Sequence, residues 1–197
     1  MGALGTEELM CMTERSPGEV HEARERAAGP QVAEIYSPPR VAALLPRDGL
    51  YPGVLMDITT NDETGKAWDF DDAGQRSKAR ERLRRDKPMV LIGSPMCTAF
   101  CRLQSINYAK MDPDRVRAIL ARARMHLNFV CSLYEEQVKS GRYFIHEHPV
   151  MATLWEEPAV RRVMKMTNVQ VSRVDACQYG MTGSYHGEEL PIKKPTR

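Results

Sequence analysis

Pro88-Met89-Val90-Leu91-Ile92-Gly93-Ser94-Pro95-Met96-Cys97-Thr98-Ala99-Phe100-Cys101 is the stretch that decides the fold. Its first half is an apolar run of strand length between Pro and Gly, which suits a strand covered on both faces. Its second half breaks into small residues and prolines around a cysteine. Such a strand-to-helix loop can expose a side chain and aim backbone N–H groups at it, favouring a nucleophilic thiolate. The competing view of Cys97 is a small buried apolar residue, since free Cys is among the most buried types.

Outward from this run, strands alternate with helices. Val32 to Tyr36 reads as a strand stopped by Ser37-Pro38-Pro39, with a helix expected over Arg40 to Leu45. Gly53 to Ile58 reads as a second strand, Trp68-Asp69-Phe70 as a short third, and Ala73 to Asp86 as a basic helix. Asp112-Pro113 starts a long helix, whose apolar positions from Val116 to Tyr134 recur at helical spacing and which Ser140-Gly141 ends. A strand over Arg142 to His146, a helix over Thr153 to about Met166 and a strand over Val169 to Val174 complete the body. This alternation predicts an α/β fold with a mostly parallel sheet and helices on both faces. Residues 1–30, rich in Glu, Arg, Ala and Gly, are expected to form a mobile N-terminal arm with a short helix between Gly18 and Ala28. Residues 31–197 form the domain.

Composition narrows the class. Among 197 residues, 42% are hydrophobic and 27% charged, as in an ordinary globular protein. No apolar run reaches the roughly 20 residues that span a bilayer. The chain's start, MGALGTEELMCM, lacks a basic segment before an apolar one, so no secretory signal is expected. A net charge of +2 neither demands nor excludes a nucleic-acid partner. Five scattered cysteines argue against a disulfide framework and for a reducing, cytoplasmic setting.

Ligands of parallel sheets sit at the carboxyl ends of the strands. Tyr36-Ser37, Asp57, Asp69, the Ser94 to Cys101 loop and His146-Glu147-His148-Pro149 all fall there. A carboxyl at Glu147, just after an apolar strand, could hold or deliver a proton, or pair structurally with an Arg. Cys97, Cys101, His146 and His148 together also allow a zinc site. Arg76, Lys78, Arg80, Arg82, Arg84 and Arg85 form either a phosphate-binding or a solvated helix face.

In order, these motifs resemble the cytosine-5 DNA methyltransferases, especially the short, divergent forms of phage and mobile elements. Ser94-Pro95-Met96-Cys97-Thr98-Ala99-Phe100-Cys101 resembles the nucleophile loop Pro-Cys-x-x-Phe-Ser, and Glu147-His148-Pro149 the Glu-Asn-Val or Glu-Asn-Pro motif. Asp175-Ala176-Cys177-Gln178-Tyr179-Gly180 with Lys194-Pro195-Thr196-Arg197 is similar to the late Tyr-Gly and Lys-Pro-Thr segment. Glu34-Ile35-Tyr36-Ser37 is similar to the first cofactor motif. The resemblance implies a Rossmann-like methyltransferase fold, S-adenosylmethionine as cofactor and DNA as partner. It implies that Cys97 attacks carbon 6 of a flipped cytosine, that Glu147 contacts the ring nitrogen and supplies a proton, and that Arg197 helps hold the base. Glu34, Tyr36, Ser37, Asp57, Asp69, Ser94 and Pro95 would line the cofactor site. The departures are Pro38-Pro39-Arg40 where the family has glycines, Met96 before the nucleophile, His148 for Asn and Cys101 for Ser. The end at Arg197 implies a truncated product, a minimal enzyme or a pseudoenzyme. A degenerate domain that binds nucleic acid or a protein partner, and a zinc- or thiol-dependent enzyme on the same scaffold, are the alternatives.

Overall fold

A computed structural model describes residues 31–42, 44–45 and 50–197. The arm expected over residues 1–30 lies outside them. Four strands, β1 (Gln31–Ile35), β2 (Tyr51–Met56), β3 (Val90–Gly93) and β4 (Tyr143–His146), form one parallel sheet in the order β2-β1-β3-β4. The helices are α1 (Ala73–Asp86), α2 (Gln104–Tyr108), α3 (Pro113–Lys139) and α4 (Pro158–Met164). The C-terminal part adds two antiparallel pairs. β5 (Val174–Asp175) pairs with β8 (Pro195–Thr196), and β6 (Thr182–Tyr185) with β7 (Glu188–Pro191).

The two long helices begin where their capping residues direct. Asp72 accepts from the Gly74 amide at 2.7 Å, and Asp112 from the Arg115 amide at 2.9 Å with Pro113 in the first turn. Both bury their apolar stripes against the same face of the sheet. Ala79 and Leu83 of α1 and Leu127, Val130 and Tyr134 of α3 share one core with Ala33, Ile35 and Leu91. The chain moves from β1 outward to β2, then returns past β1 to β3 and on to β4. Right-handed crossovers in that second direction put α1 and α3 on one side. On the opposite side Val32 packs with Ala42 and Leu45 in a smaller core. The expectation of helices on both faces is therefore corrected: among the described residues, only the segment after β1 covers the second face, and Tyr143 and Ile145 stay exposed there.

Three other expected elements differ. Trp68-Asp69-Phe70 is not a strand, because a side chain takes over the role of a ladder. Asp62 Oδ1 accepts from the amides of Thr64 (2.8 Å) and Lys66 (3.0 Å), and Oδ2 from Lys78 (2.7 Å) and Gln75 (3.2 Å). This loop pins Trp68 and Phe70 into the main core. The helix expected over Thr153 to Met166 is split into a 3₁₀ turn, Thr153–Glu156, and α4, because Pro158 can only start a helix. The strand expected over Val169 to Val174 pairs only at Val174, through β8. Among the described residues, Arg40 to Leu45 form turns rather than an α-helix.

Two strand ends are held by one contact. Tyr134 is fully buried on α3, stacks on Phe144 with ring centres 4.4 Å apart, and shares a hydrogen bond of 3.1 Å with His146 Nδ1. A Cβ at Gly93 would sit 2.0 Å from the Tyr134 hydroxyl, so only glycine lets β3 lie this close to α3. Gly93→Ala is expected to destabilise the chain by about 1–3 kcal/mol through overpacking. Adding Tyr134→Phe, which deletes the clashing oxygen, should recover part of that loss, as read by urea denaturation.

The Lys78 ammonium, then the Thr64 hydroxyl, hold the Asp62 carboxyl well below the usual carboxylate range. A depressed carboxylate stabilises the fold above its unfolded pKa of about 3.9 and loses that contribution as pH falls toward its folded value. Denaturation midpoints should therefore decline below about pH 4, and Asp62→Asn should flatten that decline while lowering stability at neutral pH.

Candidate active site

β1 lies between β2 and β3, and the connections leaving β1 and β3 diverge from that junction. This is the switch point at which open parallel sheets form a ligand crevice. Residues 36–39 and 94–97 stand on its two sides, Asp57 follows β2, and Glu147 follows β4.

The loop after β3 is tethered at several points and leaves its thiol outside. The Ser94 amide donates to the Ile35 carbonyl at 3.2 Å, and Pro95 is buried. The chain then turns through a 3₁₀ helix, Thr98–Phe100, whose last residue is buried. Thr153 donates to the Phe100 carbonyl (3.0 Å) and Tyr108 to the Ala99 carbonyl (2.9 Å). Cys97, at the head of this turn, is exposed. The core thiol is instead Cys131, whose pKa burial pushes up to about 12. Cys97, Cys101, Arg102, Leu103, Ile106 and Met151 are among the residues lining a groove of about 470 Å³.

The segment after β4 is held by the C-terminal residues. His148 and Arg197 exchange backbone hydrogen bonds of 3.1 and 3.0 Å, and the Val150 amide donates to Pro195 at 3.1 Å. Glu147 is half-buried, its carboxylate accepting from the Thr196 hydroxyl with the Lys194 ammonium at 3.4 Å. The Arg197 guanidinium stands over the Trp155 ring, 5.0 Å from its centre. His146 and His148 stack with centres 4.8 Å apart. Burial, with the neighbouring His148 second, pushes the His146 imidazole down to about 3. Burial also lowers His148, against the opposing pull of the Glu147 carboxylate and the Pro95 carbonyl. The His146 ring is neutral at ordinary pH.

The residues expected at the cofactor site divide. Glu34 is fully buried in the second core, where Oε1 accepts from the Ala42 amide at 2.9 Å, so it faces away from the crevice. Tyr36 adopts a left-handed backbone (φ 59°), packs on Phe70 at 4.8 Å and shares a hydrogen bond of 2.9 Å with His126 Nδ1. His126 Nε2 is 3.0 Å from Asp71, which pairs with Arg122. Ser37 donates to the Pro38 carbonyl. Asp57 turns Oδ1 to the Thr59 amide and hydroxyl, and Asp69 turns its own to the Asp71 amide. Asp71, His126, Lys194 and Thr196 carry roles that sequence reasoning did not assign. Their partners lie 47 to 90 residues away, so no local spacing discloses these contacts, even for Lys194 and Thr196 of the late motif.

The zinc alternative is corrected. Among the described residues, no group of three His, Cys, Asp or Glu side chains converges on a point that could hold a metal. Cys97 and Cys101 open onto one groove, whereas His146 and Glu147 line another cavity.

The basic helix is not a free cationic face. Lys78 pairs with Asp62, Arg80 and Arg84 with Glu136, and Arg82 and Arg85 with Glu63 and Asp86. Arg76 donates to the Phe70 and Asp71 carbonyls. Arg102, Lys110 and Arg115, close in sequence to Cys97, are exposed and have no carboxylate partner among the described residues.

Comparison with family models, with curated proteins and with solved structures yields no match. Among the described residues, no helix is long and apolar enough to cross a membrane.

Exposure alone orders the thiols. In the folded chain an aromatic disulfide reagent should label Cys97 well before Cys131, which should react only on unfolding. Cys97→Ser should lower the fast amplitude by one thiol, as read by release of the aromatic thiolate.

Proposed function

We propose that the chain has a Rossmann-like methyltransferase fold and transfers a methyl group from S-adenosylmethionine to carbon 5 of cytosine in DNA. The observation that carries this is the exposed thiol of Cys97 on a tethered turn after β3; Glu147, after β4, is steadied by Thr196 and Lys194 and lines a different cavity at the same edge of the sheet. The order of the motifs supports the same reading.

The residues supply a covalent route. The Cys97 thiolate adds to carbon 6 of a base flipped from its stack, forming the S–C bond as the ring's double-bond electrons shift. Glu147 donates a proton to the ring nitrogen, so that the electron density gathers at carbon 5. The cofactor supplies an electrophilic methyl group. Water at the open rim takes the proton from carbon 5 as the S–C bond breaks and the thiolate leaves, and the ring nitrogen returns its proton to the Glu147 carboxylate. Asp57 fits the ribose end of the cofactor, since only its Oδ1 is engaged and it stands at the end of β2. Arg102, Lys110 and Arg115 are among the exposed cations that could meet phosphate.

A second reading, a nucleic-acid-binding domain without catalysis, is favoured by the loop after β1. Pro38 and Pro39 offer no N–H donors there, and Tyr36 is already engaged by His126 and Phe70.

DNA containing 5-fluorocytosine discriminates them. With S-adenosylmethionine, the enzyme should form a complex that survives denaturing electrophoresis. Cys97→Ser should abolish it, and Glu147→Gln should slow it by about 10²–10⁴-fold. Retention of DNA without any trapped complex would favour the binding domain. Neutralising Arg102, Lys110 and Arg115 together should reduce the salt slope of binding by about 2–3, whereas neutralising Arg84 and Arg85 should not.

A further inference from the structure

Tyr36 stands where strand parity would not put it. Ala33 and Ile35 face the main core, and Val32 and Glu34 the second, so an extended residue 36 would turn toward the second. The left-handed backbone of Tyr36 (φ 59°) reverses that direction and lays the ring against Phe70 and Phe129. A bulky L-residue rarely adopts this conformation, which persists only where its surroundings hold it. Tyr36 is the first residue past β1, so the strain falls at the switch point, where the crevice lies.

A hydrogen-bond relay holds it. Arg122, with Nε 2.7 Å from Asp71 Oδ1, keeps the Asp71 carboxyl below its ordinary range and therefore ionised. A carboxylate only accepts, so His126 Nε2, 3.0 Å from Asp71, carries the proton between them. Burial favours the neutral imidazole, which leaves Nδ1 to accept from the Tyr36 hydroxyl at 2.9 Å. The same aspartate reaches a second residue of the crevice. Its amide donates to Asp69 Oδ1 at 2.9 Å, and Arg76 donates to the carbonyls of Phe70 (2.7 Å) and Asp71 (3.0 Å), so residues 69–71 form one fixed corner. Tyr36 and Asp69, which the sequence places separately at the cofactor site, are thus oriented by one residue that the sequence does not mark.

We propose that Asp71 and His126 are positioning residues for the methyl donor, fixing Tyr36 and Asp69 together at the crevice beside β1. This rests on the proposed use of S-adenosylmethionine. The relay engages the Tyr36 hydroxyl, but the ring is only half-buried and keeps a part open to a ligand. A ligand that meets a wall already fixed does not have to order it, so preorganisation of this kind is read in affinity. Loss of the relay therefore raises KM and leaves kcat nearly unchanged.

The test measures S-adenosylhomocysteine binding to the full chain by titration calorimetry, together with KM and kcat for S-adenosylmethionine. Asp71→Ala should weaken binding and raise KM by about tenfold or more, as for a lost charge-assisted hydrogen bond, with kcat within about twofold. Asp71→Asn, which keeps an acceptor for His126, should recover most of that loss. Tyr36→Phe deletes one atom from a half-buried ring and keeps the test open if Asp71→Ala does not fold. It should weaken binding alone and add nothing to Asp71→Ala, because both changes break one relay. Variants that bind as tightly as the unaltered chain, or that lose only urea stability, overturn the inference and leave the methyl-donor reading standing. An unaltered chain that does not bind S-adenosylhomocysteine overturns both.

Discussion

The paired backbone hydrogen bonds between His148 and Arg197 are the contact on which the candidate site depends. They place Thr196 and Lys194 on the Glu147 carboxylate and the Arg197 guanidinium on Trp155. Without them, Glu147 would stand on an exposed loop with no group to fix its direction. The clasp works because β4 is itself set by Tyr134, which fills the space under Gly93 and stacks on Phe144. Packing at the floor of the sheet is thus passed upward to the chemistry at its rim.

Charge is distributed with the same economy. The arginines of α1 are spent on Glu63, Asp86 and Glu136, so the most basic stretch of the sequence is electrostatically closed. Arg102, in the groove with Cys97, and Lys110 and Arg115 have no such partners among the described residues. Phosphate attraction is therefore expected at Arg102, in the groove with the thiol, more than on the basic helix, because an unpaired cation meets phosphate without first giving up a carboxylate.

The frame was legible in the residues. Asp112-Pro113 and Ser140-Gly141 mark both ends of α3, and the apolar runs at Val90 and Tyr143 mark two strands of the parallel sheet. The alternation of β and α implied that polar residues gather at one rim, and Cys97, Asp57 and Glu147 do stand at strand ends. What was not legible depended on distant partners. Glu34 reads as a rim acid, yet strand parity turns it into the second core, where Ala42 receives it. Trp68-Asp69-Phe70 reads as a strand, yet Asp62 satisfies the neighbouring backbone and leaves the aromatics as anchors. His126 gave no signal, because Tyr36 and Asp71 reach it only after the chain has folded.

In the proposed reaction, Cys97 and Glu147 act on one pyrimidine ring. A crystal structure of the chain bound to DNA carrying 5-fluorocytosine tests it most directly. The expected result is the Cys97 sulfur bonded to carbon 6, with the Glu147 carboxyl within hydrogen-bond reach of the ring nitrogen. A base seated elsewhere, or a ring bonded to Cys97 with Glu147 turned away toward Lys194, would contradict it.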